Sequence, residues 1–189
     1  MVGIDEVGRG AWAGPLLVVA AKAYTDLPNQ LKDSKLLTKQ QRKKLLNQLS
    51  NCCKFGEGWV SPVEIDKLGL ADSLRLGVSR ALDKLKIKKD EQIIIDGRVN
   101  YIARQYKNTT AIVKADNSVP IVSAASIYAK VTRDNYMANL DNKYPDYDFY
   151  KHVGYGTAAH TSLVIQLGFI DGLHRLSFEP MKSLSNLEV

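Results

Sequence analysis

The opening residues constrain the fold of this chain more than any other segment. Asp5 and Glu6 follow an apolar lead-in, and Arg9 comes next, between Gly8 and Gly10. Two adjacent acids repel each other and glycines cost backbone entropy on folding, so the segment favours a functional site over a piece of core. Because successive side chains of a strand point to opposite faces, we predict that the first strand ends or bends at the acids. An ordinary strand end with an acidic turn is the alternative interpretation.

The remaining pattern alternates strands with helices, which is typical of an α/β protein. Apolar, β-prone runs predict strands over residues 16–24, 54–61, 91–97 and 109–114, the first of which should form a hairpin with the opening strand. Apolar residues at helical spacing predict helices over residues 38–53, 62–69, 70–85, 121–140 and 157–166. The aromatic-rich segment 144–156 predicts a loop outside the core, and the tail 171–189 should lie on the surface or extend from it.

Two predicted helices begin with capping signals. Thr38 is followed three residues later by Gln41, and Ser61 is followed at the same spacing by Glu64. In such a pair the hydroxyl and the longer side chain each satisfy a backbone N–H at the start of the helix. Gly69 should then end the short helix that Ser61 begins.

Composition narrows the class of protein. The 189 residues fit one domain over 1–189, in which about 141–189 should form a helical C-terminal part. The formal net charge of +6 favours a polyanionic partner, with solubility as the alternative. Cys52 and Cys53 are adjacent on the apolar side of a predicted helix, which indicates buried thiols. Without a signal peptide or an apolar run near about 18 residues, we expect a cytoplasmic protein with no membrane association.

Four acids stand apart from the ordinary surface charges. Asp5 and Glu6 follow the first strand, Asp96 ends a central strand and Asp116 precedes a helix rich in small residues. If the sheet brings them together, the donor set is all oxygen, which suits Mg²⁺ or Mn²⁺ rather than zinc. Carboxylates gathered in a basic protein would hold two cations that bridge to phosphate. Spacing along the chain does not by itself show that the acids converge.

The order of several motifs resembles that of prokaryotic ribonuclease HII, the type 2 ribonuclease H. The motifs are GIDEVGRG at residues 3–10, DSKLLT at 33–38, IIIDG at 93–97, KADNSVPIVSAASIYAKVTRD at 114–134, GYGT at 154–157 and HRLSF at 174–178. The resemblance implies a ribonuclease H-like α/β fold, a mixed sheet flanked by helices with a small helical C-terminal part. It also implies that the four acids just described are catalytic and hold Mg²⁺ or Mn²⁺. Arg9 distinguishes the chain from ribonuclease HIII, which typically has lysine there.

The same resemblance implies the reaction. The enzyme would cleave the phosphodiester on the 5′ side of a ribonucleotide embedded in duplex DNA, and the RNA strand of RNA–DNA hybrids. The products would carry 3′-hydroxyl and 5′-phosphate ends, an activity that serves ribonucleotide excision repair. No protein nucleophile is needed if two metal ions activate water and stabilise the leaving oxygen. We expect a monomer that acts on these duplexes, and leave open whether a clamp-type partner binds the tail.

Five residues are expected to contact substrate. By the resemblance Gly8, Arg9 and Gly10 contact the ribose 2′-hydroxyl, and Tyr155 places its ring against the adjacent deoxyribose. A packing aromatic is the alternative for Tyr155. Lys35 would lie near the substrate backbone, with a solvated lysine as the alternative.

Other residues fit the pattern less directly. Asp134 is expected to be a structural carboxylate or one that approaches the acidic site, and Val153 stands where relatives often have a basic residue. His152, His160 and His174 lack metal-ligand spacing and are interpreted as hydrogen-bonding or surface histidines. A catalytically inactive nucleic-acid-binding domain is the main alternative function, and a polynucleotidyl transferase or DNA nuclease on the same fold is another. The presence of all four acids argues against the first, and the second would not need the GRG triplet or Tyr155.

Overall fold

A computed structural model describes residues 1–29, 31 and 37–185. In this part of the chain five strands form one sheet in the order β3-β2-β1-β4-β5. The strands are β1 (Val2–Val7), β2 (Leu16–Ala23), β3 (Cys53–Val60), β4 (Ile93–Asp96) and β5 (Thr109–Ile112). The helices are α1 (Lys39–Ser50), α2 (Pro62–Leu85), α3 (Ala115–Ser118), α4 (Pro120–Asn139), α5 (Phe149–His152), α6 (Ala158–Leu167) and α7 (Met181–Ser185).

The sheet is mixed, as the resemblance implied. β1 and β2 pair antiparallel in the predicted hairpin, with Val2 opposite Lys22 and Val7 opposite Leu17. β1 and β4 run parallel, as do β4 and β5. The β1, β2 and β4 strands are almost entirely buried, which explains their continuous apolar sequences.

The first strand does not end at the acids, which corrects the sequence interpretation. Asp5 and Glu6 both lie within β1, opposite Val19 and Val18. The ladder with β2 continues to Val7, so pairing holds extended geometry past both carboxylates. The turn comes immediately afterwards, at Gly8, whose φ of 84° lies in the left-handed region that favours glycine.

Both capping predictions are confirmed. The Thr38 hydroxyl accepts from the Gln41 N–H at 3.2 Å while the Gln41 side chain accepts from the Thr38 N–H at 2.8 Å. Ser61 and Glu64 make the corresponding pair at the start of α2. The backbone of α2 breaks at Gly69, where φ is 73°, so the segment is two helices as predicted.

The cysteines are buried free thiols, but they lie outside α1. That helix ends at Ser50, and Cys53 is the first residue of β3. Burial raises the pKa of the Cys53 thiol to about 12. The helical spacing was misleading because a chain reversal placed both residues against the same apolar cluster as Leu45 and Leu49.

α4 packs closely on the sheet, as its small residues predicted. A Cβ added to Gly3 of β1 would lie 2.5 Å from the carbonyl carbon of Ile121 and 2.6 Å from the nitrogen of Val122. No real Cβ contact is that short, so only glycine at this point of β1 allows the start of α4 to sit so near.

The chain divides into two compact units. One comprises residues 1–7, 17–59 and 74–131, and the other residues 8–16, 60–73 and 132–189. The first contains the sheet core, and the second has its own apolar cluster, formed by Ala13, Met137, Tyr147, Phe149 and Leu173. The single-domain organisation stays a prediction. No helix in the described ranges is both long and apolar enough to cross a membrane.

Part of the aromatic segment 144–156 belongs to this second core, which corrects the prediction of a loop outside it. Tyr147 and Phe149 are buried and stack with ring centroids 5.5 Å apart. The Tyr147 hydroxyl donates to the carbonyl of Gly168 at 2.8 Å, so its polar end is satisfied inside the protein. The start of the tail is likewise interior, since His174 and Arg175 are 1% and 0% exposed.

Candidate active site

A cavity of about 370 Å³ in the first unit contains all four predicted acids. Its lining side chains also include two cations and a hydroxyl; the set is Asp5, Glu6, Val7, Arg42, Asp96, Asp116, Ser126, Ile127 and Lys130. The convergence that spacing left open is therefore observed at the level of one shared cavity.

The sheet topology brings the acids together. Asp5 and Glu6 stand near the end of β1, and Asp96 is the last residue of β4, the parallel neighbour of β1. Asp116 lies in α3, just after β5, which is parallel to β4. The carboxyl ends of parallel strands share one edge of a sheet, which is where α/β proteins place their sites.

The carboxyl of Asp5 has a strongly raised pKa. Burial raises its pKa, repulsion from Glu6 and Asp96 raises it further, and hydrogen bonds from Ser126 and the Glu6 N–H act in the opposite direction; the resulting pKa is about 8. The side chain is only 7% exposed, and its Oδ1 accepts from the Glu6 N–H at 2.8 Å. Asp5 is thus protonated at neutral pH unless a cation enters to stabilise its charged form.

Asp96 and Asp116 are tied to each other through the start of α3. The Oδ1 atom of Asp96 accepts from the N–H of Ala115, the first residue of α3, at 2.7 Å. Asp116, 2% exposed, follows directly, and its carbonyl accepts from the Ser123 hydroxyl of α4. The short helix is held between a strand end and a long helix, which fixes where Asp116 can reach.

The donors are of the type that hard divalent cations bind. Four carboxyl groups and no nitrogen or sulfur ligand suit Mg²⁺ or Mn²⁺. Asp5, Glu6, Asp96 and Asp116 would hold such ions. Among the residues the structure describes, no three His, Cys, Asp or Glu side chains lie close enough together to hold one metal ion. That these carboxyls share metal ions therefore stays a prediction.

Three polar residues of the cavity were not among the predicted site residues. Ser126 hydrogen-bonds Asp5, and Lys130 lies one helical turn further along α4 and lines the same cavity. The spacing of four residues puts both on one face of a helix, a signal that was present in the sequence. Arg42 comes from the first turn of α1 and also lines the cavity.

The second unit holds the predicted ribose-contacting residues. The Gly8 N–H donates to the Tyr155 hydroxyl at 3.1 Å, and Ala11 forms a β-bridge with Tyr155. A Cβ on Gly8 would lie 2.2 Å from Nε of Arg133, whereas a Cβ on Gly10 would meet nothing within 4 Å. Gly8 is therefore required by packing inside the protein, but Gly10 is not.

Two buried arginines hold the segment that begins with Gly8. Both are 0% exposed. Arg133 donates to the carbonyls of Pro15, Ala13 and Val153, while Arg175 donates to those of Gly14 and Arg9. Burial, with repulsion from Arg133, lowers the pKa of Arg175 to about 9, which leaves it charged at neutral pH. Both residues lie in quoted motifs, but sequence alone gave them no role.

The other residues singled out in the sequence are Lys35, Asp134 and the three histidines. Lys35 lies outside the described residues. Asp134 is buried, at 7% exposure. His152, His160 and His174 are buried and hydrogen-bonded, so the hydrogen-bonding interpretation is confirmed and the surface one is wrong.

Comparison with known proteins agrees with these features. The family model for ribonuclease HII matches residues 2–181. A ribonuclease HII from Pseudothermotoga lettingae is 41% identical over 189 residues, covering 100% of this chain and 80% of that protein.

Solved structures give the same fold. The ribonuclease H2 from Pyrococcus horikoshii matches with a TM-score of 0.76 and 29% identity, covering 98% of this chain and 97% of that one. The ribonuclease HII of Archaeoglobus fulgidus, solved in a complex with PCNA, matches with a TM-score of 0.78 and 25% identity, covering 100% and 96%. The predicted family and the ribonuclease H-like fold are thereby confirmed. The chain belongs to the ribonuclease HII family, and as a member it is a metal-dependent endoribonuclease that acts on RNA–DNA hybrids.

Proposed function

We propose that this enzyme cleaves the phosphodiester on the 5′ side of ribonucleotides embedded in duplex DNA, as well as the RNA strand of hybrids. The observation that carries the proposal is the single cavity lined by Asp5, Glu6, Asp96 and Asp116. An oxygen-only donor set beside two cations suits a phosphodiester with its metal ions better than a neutral substrate. Retention of all four acids argues against an inactive binding domain.

The chemistry is hydrolysis with water as nucleophile. The water oxygen bonds to phosphorus, the bond between phosphorus and the 3′ oxygen breaks, and that oxygen takes up a proton. The products are therefore a 3′-hydroxyl and a 5′-phosphate. Two bound Mg²⁺ or Mn²⁺ ions would supply an activated water and neutralise charge on the leaving oxygen.

The residues of the cavity have distinct tasks in this reaction. The four carboxyls would hold the ions, and a bound cation would favour the charged form of Asp5, which burial otherwise disfavours. Arg42 and Lys130 line the cavity and would contact the non-bridging phosphate oxygens or the neighbouring phosphates. No serine, cysteine or histidine nucleophile is required.

We propose that the ribose is recognised by Gly8, Arg9, Gly10 and Tyr155. The 2′-hydroxyl both donates and accepts hydrogen bonds, so fixed backbone groups in a tight turn read it more sharply than a long side chain. The hydrogen bond from Gly8 to the Tyr155 hydroxyl supports this, since it joins the turn and the aromatic ring into one surface.

A substitution at Gly10 tests the proposed recognition of the ribose. A Cβ at Gly10 meets nothing within 4 Å in the protein, so Gly10→Ala should change the melting temperature by no more than about 1 °C. The added methyl group should crowd the approach of the ribose and lower kcat/KM at least about tenfold, both on a duplex with one ribonucleotide and on an RNA–DNA hybrid. Unchanged cleavage by this variant would remove Gly10 from the reader.

The function itself is tested with a DNA duplex containing one ribonucleotide, incubated with Mg²⁺ and Mn²⁺ separately. Product mapping should show a single cut on the 5′ side of the ribonucleotide with a 3′-hydroxyl end, and none in an all-DNA duplex. Cleavage of the all-DNA duplex would instead support a DNA nuclease on this fold.

A further inference from the structure

Three buried histidines in the second unit form a cluster that the proposed function does not yet use. His160 and His174 are 0% and 1% exposed, and His152 stacks on His160 with ring centroids 4.1 Å apart and planes 15° apart. The Trp12 ring lies 5.7 Å from that of His160. The His160 ring is thus confined by two aromatic neighbours and cannot turn freely.

The hydrogen bonds of His174 specify its tautomer. The N–H of Ile170 donates to its Nδ1 at 2.8 Å, so that nitrogen carries no proton. A neutral imidazole then has its proton on Nε2. That proton points to Nε2 of His160, 3.3 Å away.

The tautomer of His160 follows from the same logic. Its Nε2 accepts from His174, so its proton lies on Nδ1, which donates to the carbonyl of Tyr155 at 3.0 Å. Burial lowers the pKa of both imidazoles to about 4, which agrees with neutral rings at physiological pH. The chain of hydrogen bonds therefore runs in one direction, from Ile170 through His174 and His160 to Tyr155.

We propose that His160 and His174 form a directional relay of neutral imidazoles that positions Tyr155 for ribose recognition. The relay fixes the Tyr155 backbone at its carbonyl, and the Gly8 N–H fixes the same residue at its hydroxyl, 3.1 Å away. His160 is a positioning residue, and His174 acts through it. The inference rests on the proposed role of Tyr155 in the function above.

The first test is spectroscopic and independent of activity. Long-range ¹H–¹⁵N NMR correlations of ¹⁵N-labelled enzyme at neutral pH distinguish the two neutral tautomers. The relay requires the proton on Nδ1 of His160 and on Nε2 of His174. A proton on Nε2 of His160 would overturn it, because the bond to the Tyr155 carbonyl could not then be made.

The second test separates the two hydrogen bonds of His160 with a matched pair of amides. The amide of asparagine lies near the position of Nδ1 and can still donate to Tyr155. The amide of glutamine extends toward Nε2 and can still meet His174, but loses the bond to Tyr155. The relay predicts that His160→Gln lowers kcat/KM on a single embedded ribonucleotide about tenfold more than on a hybrid, whereas His160→Asn changes the two alike.

Melting temperatures and Tyr155 ring chemical shifts, measured for both variants, complete the design. If the histidine merely fills core, both variants should destabilise the fold equally and leave the substrate ratio and the Tyr155 resonances unchanged, which would overturn the relay. A shift of the Tyr155 resonances in His160→Gln but not in His160→Asn supports it even if the wild-type enzyme fails to cut an embedded ribonucleotide. That failure would overturn the proposed function instead.

Discussion

For individual residues of the cavity, burial matters first and repulsion between carboxyls second. Asp5 is buried, and the charges of Glu6 and Asp96 act on it, so its charged form is costly without a counter-ion. Such sites favour a bound cation over bare charge.

Asp96→Asn should lower kcat at least about 10³-fold, because the amide cannot hold a metal ion that stabilises charge in the transition state. Binding of uncut duplex should change less than about threefold, since lost negative charge also removes repulsion from phosphate. Single-turnover cleavage and fluorescence anisotropy measure the two effects. Asp26→Asn makes the same chemical change at an exposed position and serves as the control. Near-normal cleavage by Asp96→Asn would show that Asp96 is not a ligand.

The pKa of Asp5 predicts how stability changes with pH when divalent metal is removed. The ordinary pKa of 3.8 rises to about 8 in the folded protein. Between these two pH values the folded state binds more protons than the unfolded state. Protonated Asp5 therefore adds to the free energy of unfolding at low pH, and this contribution is lost as the pH rises toward 8. The loss is at most about 1.4 kcal/mol per pH unit.

Urea unfolding in chelator at pH 6 and pH 8 measures this loss, with Asp5→Asn as the variant that cannot titrate. The wild-type free energy of unfolding should fall relative to that of the variant. Millimolar Mg²⁺ should reverse the fall, because the cation replaces the proton. Parallel pH profiles for the two proteins would show that Asp5 does not titrate in this window.

At the scale of elements, the cavity depends on how closely α4 approaches β1. That helix supplies Ser126 and Lys130, while β1 supplies Asp5 and Glu6. Gly3 sets the spacing between them, because any side chain there would meet the backbone at Ile121. Small residues thus determine site geometry without touching substrate.

Gly3→Ala should destabilise the protein by about 1–3 kcal/mol, because the added methyl group must displace helix backbone rather than a flexible side chain. Cleavage should fall as well, since α4 carries part of the cavity lining. Thermal denaturation and the duplex cleavage assay give the two results. Gly10→Ala, with free space around its Cβ, is the control for the melting temperature only, because its own cleavage is expected to fall. A melting temperature equal to wild type would contradict the close packing.

At the scale of the whole molecule, the sequence carries a formal net charge of +6 although its candidate active site is acidic. Arg42 and Lys130 line the cavity, and we expect the remaining excess of lysine and arginine to attract a polyanion at long range.

Binding of a DNA duplex should weaken steeply as salt rises, because each phosphate contact releases counterions and contributes about −0.9 to the slope of log K against log salt. Fluorescence anisotropy between 50 and 200 mM salt, on duplexes with and without one ribonucleotide, should give similar slopes of several units. An affinity independent of salt would leave the positive charge as a solubility feature only.

Features with local causes could be predicted from the amino-acid sequence alone. Thr38 and Gln41 cap α1, Gly69 breaks α2, and apolar runs make the buried strands, because these effects depend on neighbours within a few residues. The motif order identified the family. Asp96 was correctly placed at a strand end because a glycine follows it.

Which charged and polar side chains are buried became clear from the three-dimensional fold alone. Arg175 reaches Gly14, 161 positions away, and Arg133 reaches Pro15, 118 positions away. Burial likewise makes His160 neutral, and His174 and Tyr155 orient its ring. Burial of a polar group costs free energy unless partners satisfy it. Because those partners are remote in sequence, no local pattern could reveal them, and the same holds for the convergence of the four acids on one cavity.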